Sequence, residues 1–197
     1  TWVNRVAEKV NKECPDGWIS AIAYAGMFEP PKSEMQPNVA VTVCMADGWT
    51  GYGLDTLKAW RQKVSRLFLW EYYIDGANFP RHHPRAIAAY LRELQAMAAE
   101  GMFIEMDSQA GGAENSNPAL YHLNHYITFR MLRERNVDAD ALIEEYYKLF
   151  YGKAAAPMKA FWSDLENARK KMDAQNMIGS AGGVMSGLAG GGPRRGA

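Results

Sequence analysis

The chain has no surplus of charge: 22 Lys and Arg balance 22 Asp and Glu. Nothing therefore steers it toward nucleic acid or an anionic membrane surface. Cysteine is scarce. Cys14 and Cys44 are the only two in 197 residues, too few for a disulfide framework. No apolar run approaches the ~20 residues needed to cross a bilayer as a helix. No G-x-G-x-x-G or phosphate loop follows a candidate strand, which counts against a nucleotide cofactor. No G-x-S-x-G elbow or Ser, His, Asp order suggests a serine hydrolase. An initiator Met is also missing. The chain opens at Thr1-Trp2-Val3, already inside an amphipathic pattern, and we read it as a piece of a longer protein. The lack of a leader is then no evidence for the cytoplasm.

What is present suits one folded domain. Hydrophobic residues make up 48% of the chain, enough for a real core. Six Trp and ten Tyr make it somewhat rich in aromatics that serve half-wet clefts as well as cores.

Apolar spacing predicts a helix from Trp2 to Lys12, broken at Pro15-Asp16-Gly17. Strands are expected at Trp18 to Gly26, Asn38 to Ala46, Arg66 to Tyr73 and Met102 to Asp107. In the second, Val39, Val41, Val43 and Met45 form a bulky face, while Ala40, Thr42, Cys44 and Ala46 form a small one. Helices are expected at Leu54 to Val64 and Arg85 to Glu100, the latter stopped by Gly101. Asn117-Pro118 starts another, to about Glu134. Asp138 to Phe150 and Ala154 to Gln175 complete the set. From Asn176 the chain is Gly-rich, a composition expected to stay disordered.

Strands that alternate with helices imply a parallel sheet, either an open doubly wound sheet or half of a (β/α)8 barrel. A full barrel takes ~250 residues, so four units fit a fragment. In both architectures ligands bind beyond the carboxyl ends of the strands.

Those ends carry Tyr24, then Asp47 and Trp49, then Trp70-Glu71-Tyr72-Tyr73, then Glu105 and Asp107. Residues two apart share a face, so Leu67, Leu69, Glu71 and Tyr73 point one way and Phe68, Trp70 and Tyr72 the other. Phe103, Glu105 and Asp107 share a side. An unpaired carboxylate under dry helices is costly, so Glu71 and Glu105 are expected to face the barrel mouth. Two carboxylates about a glycosidic bond are the usual apparatus of sugar hydrolysis. The plainer alternative is that either Glu braces the rim through an Arg or loop amides. Glu71 and Glu105 are the catalytic candidates. Tyr24, Asp47, Trp49, Trp70, Tyr72, Tyr73, His82 and Asp107 are the substrate-binding candidates, although Trp70 and Tyr72 also suit packing under helices. His82-His83 and the pair His122 and His125 lack a third ligand at recognisable spacing, so neither a metal nor a cofactor is implied.

Several stretches resemble the bacterial "domain of unknown function 4838" family, which accompanies alpha-glucuronidase-like and hexosaminidase-like barrels. They are Trp2 to Glu8, Ile19 to Tyr24, Leu57-Lys58-Ala59-Trp60, Leu69-Trp70-Glu71-Tyr72 and Gly101 to Glu105. Leu123-Asn124-His125-Tyr126, Asp138-Ala139-Asp140 and Glu144 to Ala155 continue the series. The chain departs from the pattern at Met131 to Asn136, where a more apolar stretch is usual. The resemblance implies a secreted or periplasmic setting and polysaccharide degradation, including uronic-acid-containing glycans. It also implies the C-terminal half of a (β/α)8 barrel, with these strands as about the fifth to eighth. The third would then stand where many retaining glycosidases carry a nucleophile, and the acid would lie outside this chain. No catalytic residue transfers from the family itself.

The expected organisation is a partial barrel over 1–137, a helical extension over 138–175 and a tail over 176–197. The expected partners are a carbohydrate and the missing N-terminal half of the barrel, with no nucleic acid and no membrane. The expected function is part of a glycoside hydrolase; the alternative is a carbohydrate-binding or structural module without catalysis.

Overall fold

The computed structural model describes residues 1–45, 53–73, 82–105 and 118–174. Four strands, β1 (Ile19–Ala23), β2 (Val39–Met45), β3 (Arg66–Tyr72) and β4 (Gly101–Glu105), form one sheet in the order β1-β2-β3-β4. Every pairing is parallel, as the alternation of strands and helices predicts. The helices are α1 (Trp2–Glu13), α2 (Leu54–Lys63), α3 (Pro84–Ala96), α4 (Pro118–Arg133), α5 (Ala139–Tyr151) and α6 (Ala155–Ala174).

Alternation divides the sheet into two unlike faces. Val39, Val41, Val43, Met45, Leu67 and Leu69 are essentially inaccessible and join one core with Leu57 and Trp60 of α2. Ile87, Tyr90, Leu91 and Leu94 of α3 and Leu123, Ile127 and Met131 of α4 complete that core. The other face is open: Ile22 is 53% exposed and Phe103 52%. Sequential strand order gives crossovers of one hand, which put the described crossover helices on one side.

Local signals hold the ends. The Thr1 side chain accepts from Asn4 N at 3.2 Å, and Asp138 accepts from Asp140 N at 2.8 Å, capping α1 and α5. Asn38 Nδ2 donates to Ala7 O at 3.0 Å and Gly17 O at 3.2 Å, tying α1 to the start of β2. Trp60 Nε1 donates to Phe28 O at 2.7 Å, fixing the segment between β1 and β2 on α2.

Some boundaries differ from expectation. β1 stops at Ala23, because a 3-10 turn occupies Ala25–Met27. Gly101 does not stop α3; it opens β4, and the turn is made by Ala98 at φ 53. Glu100 N already donates to Leu67 O at 2.9 Å, which recruits this stretch to the sheet. In the divergent stretch Met131 is buried, Arg130 pairs with Glu134 at 3.0 Å, and Asn136 takes φ 63, which Asn tolerates.

Gly53 opens α2 at φ 72, where an added Cβ would meet Phe28 Cζ at 2.9 Å and Met45 Cε at 3.0 Å. Gly53→Ala is expected to cost about 2 kcal/mol through left-handed strain and this clash. A urea titration checks it: an unchanged midpoint contradicts the account.

Candidate functional site

Register deals the strand-end side chains to the two faces. Met45, Glu71 and Ile104 lie in one row, and Cys44, Trp70 and Phe103 in the row before it. Tyr72 pairs with Glu105. In a parallel sheet paired residues point the same way, so Glu71 and Glu105 leave opposite faces. The expectation that both face the barrel mouth is corrected for Glu71.

Glu71 is fully buried on the helical side. The Tyr90 hydroxyl of α3 donates to its Oε1 at 2.5 Å. A buried carboxylate requires such a donor, and Tyr90 lies on the apolar stripe that packs against β3. Burial first, then the Glu71 charge, pushes the Tyr90 hydroxyl well above the ordinary tyrosine range, so it stays a donor. Tyr73 follows Glu71 on the same side. It is 6% exposed, its hydroxyl meets Thr128 Oγ1 of α4 at 2.8 Å, and its ring stacks on His125 at 5.6 Å. It is therefore a helix-packing residue and not part of a pocket wall.

The open face carries a different set. Trp70 Nε1 donates to Glu105 Oε2 at 3.0 Å. The Phe103 ring lies 4.3 Å from the Trp70 ring, and Tyr72 lies 6.4 Å away on the same strand. Tyr72, Cys44 and Tyr24 lie close enough at the carboxyl end to influence one another electrostatically. Burial is the main reason the Cys44 thiol is pushed up to about 11, so it stays protonated near neutrality and is no thiolate nucleophile. Trp70, Tyr72, Glu105 and Tyr24 thus come together, while Glu71 and Tyr73 lie behind the sheet. Asp47, Trp49 and Asp107 lie outside the described residues.

His82 is also relocated. It is 3% exposed and stacks on Trp162 of α6 at 4.7 Å, so it braces the helices that follow. Its neighbour Arg85 bridges Asp140 of α5 at 2.9 Å and the buried Glu166 of α6 at 2.6 Å. His122 stacks on Phe150 at 4.6 Å. Among the described residues no group of three metal-ligating side chains is found.

Phe103 escaped the sequence reading as a site residue, although its two-residue spacing from Glu105 already put it on the same face. The signal for Glu71 was a tyrosine on the core stripe of α3, whose hydroxyl needed a buried partner.

A family model described as "Domain of unknown function (DUF4838)" matches residues 1–164. The chain belongs to the DUF4838 family. No curated protein and no solved structure matches it. For this DUF4838 chain, the open aromatic face with Glu105 is the candidate site, and α5 and α6 buttress the segment that enters α3.

Two outcomes test this division. Tyr90→Phe strips a donor from a buried carboxylate and is expected to cost about 1–3 kcal/mol in chemical denaturation; a neutral result would contradict the role given to Glu71. Burial first, with the charges of His83 and Arg85, lowers the His82 pKa to about 4 from 6.5. The folded state then binds fewer protons than the unfolded one. His82 is expected to cost no stability above pH 6.5, and up to about 3 kcal/mol is lost as pH falls from there toward 4. His82→Phe, which keeps a ring on Trp162, flattens that fall in denaturation midpoints taken across the range; an unaltered slope rules His82 out as its source.

Proposed function

We propose that this chain is a carbohydrate-active module whose sugar-facing surface is the open face at the carboxyl ends of β1 to β4. One observation carries the reading: Trp70, grouped with the rings of Phe103 and Tyr72 on one face, donates its indole N–H to the Glu105 carboxylate at 3.0 Å. Aromatic rings take the apolar face of a pyranose, and a carboxylate accepts from its hydroxyls. In this reading the four strands are the later half of a (β/α)8 barrel, with Ile22, Phe68 and Phe103 turned inward. The other half comes from the same polypeptide. Support comes from the sequential parallel order and the exposure of Ile22 and Phe103 on the second face, since parallel sheets are normally covered on both sides. The resemblance to glycosidase-like barrels adds a secreted or periplasmic setting.

The module belongs to a glycoside hydrolase in which Glu105 is this half's acid/base or nucleophile candidate. Glu71 serves the fold. A second reading, a glycan-binding module without turnover, is favoured by one specific observation: the two carboxylates expected as a pair leave opposite faces.

The two readings separate on one screen of the protein at its full natural length, against aryl glycosides and polysaccharide-derived oligosaccharides. Hydrolysis is expected in the wild type. Glu105→Gln is expected to lower kcat at least 100-fold while sugar binding persists. Glu71→Gln is expected to lower stability while active protein keeps its turnover. Binding without turnover in the wild type selects the second reading, and full activity in Glu105→Gln removes Glu105 from the chemistry.

A further inference from the structure

Among the described strand residues, the face just outlined carries charge at its two ends. Of the strand residues on this side, Ser20, Ile22, Ala40, Thr42, Cys44, Phe68, Trp70, Tyr72, Gly101 and Phe103 are uncharged. Arg66 stands at the amino end, about 20 Å along β3 from Tyr72. Its guanidinium lies over the Trp18 ring at 4.2 Å and 3.8 Å from Glu100. Among the described strand residues, Glu105 is the charged side chain on this face at the carboxyl end, and the Trp70 indole N–H donates to it.

This arrangement discriminates among sugars. An ionised carboxylate only accepts hydrogen bonds, so it needs donors from its ligand. A pyranose with its hydroxyls intact supplies them, and such bonds to a charged acceptor are stronger than neutral ones. A uronate offers a second acceptor-only carboxylate in place of a hydroxymethyl donor. Beside Glu105, flanked by aromatic rings that thin the solvent, two negative charges repel more than they would in water. Resting on the carbohydrate reading above, we infer that Glu105, positioned by Trp70, makes this site select uncharged pyranosides over uronates.

The test is calorimetric titration of the protein at its full natural length with two oligosaccharides of one linkage, an oligoglucoside and the matching oligoglucuronide. The wild type is expected to bind the neutral glycan at least tenfold more tightly, and the ratio to shrink as NaCl rises, because screening acts on charge and not on shape. Glu105→Gln keeps the side-chain shape and is expected to weaken the neutral glycan while raising relative affinity for the uronate. Trp70→Phe keeps a ring, removes the N–H, and is expected to narrow the ratio part of the way. Near-ultraviolet circular dichroism confirms that each variant is folded. Tighter binding of the uronate, or a ratio that neither salt nor Glu105→Gln moves, overturns the selectivity while leaving the carbohydrate reading in place. Failure of the wild type to bind either glycan overturns both.

Discussion

Met45, Glu71 and Ile104 stand in one row across three parallel strands, and Cys44, Trp70 and Phe103 in the next. The remaining arrangement depends on this register. A slip of one residue in β3 would send Glu71 to the open face and Trp70 under the helices. With the register set, Glu71 enters the core and requires a hydrogen-bond donor there. Tyr90 supplies it, which fixes the rotation of α3 against the sheet. The first turn of α3 is fixed in turn by Arg85, which reaches Asp140 of α5 and Glu166 of α6, and by His82 stacked on Trp162. A single row of the sheet is thus coupled to helices far along the chain.

The two strand-end carboxylates illustrate how environment assigns roles. Both follow apolar residues on neighbouring strands. Glu71 is closed off from solvent beneath α3 and is a structural hydrogen-bond acceptor. Glu105 is only partly covered, with one oxygen held by Trp70 and aromatic rings beside it. A buried charge is tolerated where a partner is built in, and a half-exposed one is available to a ligand. The same logic separates Tyr73, committed to Thr128 and His125 of α4, from Tyr72 on the opposite side.

Much of the fold was legible in the sequence. The strict alternation of Val39 to Met45 announced a strand with one bulky and one small face, and the structure buries the bulky face completely. The stripe Ile87, Tyr90, Leu91 and Leu94 announced the core side of α3. Boundaries were less legible. Gly101 reads as a helix stop by composition, but the backbone donor of Glu100 finds Leu67 O and the strand starts there. The site was half legible. Alternation puts Glu71 with Leu67 and Leu69, but the cost of burying a charge points that face to the barrel mouth. A hydroxyl one helix away met that cost.

By itself, the sequence determined the element types, the parallel order, the two faces of each strand and membership in the DUF4838 family. Those follow from periodicity and chain connectivity, which are local or nearly so. Only the tertiary structure decided which face is covered, that Glu71 and Glu105 part company, and that His82 belongs to the helical extension. Each of those depends on register between strands or on contacts across tens of residues, such as Glu71 with Tyr90 or His82 with Trp162. Spacing along one strand cannot state how that strand is aligned with its neighbour, and that alignment separated the structural carboxylate from the one available to a ligand.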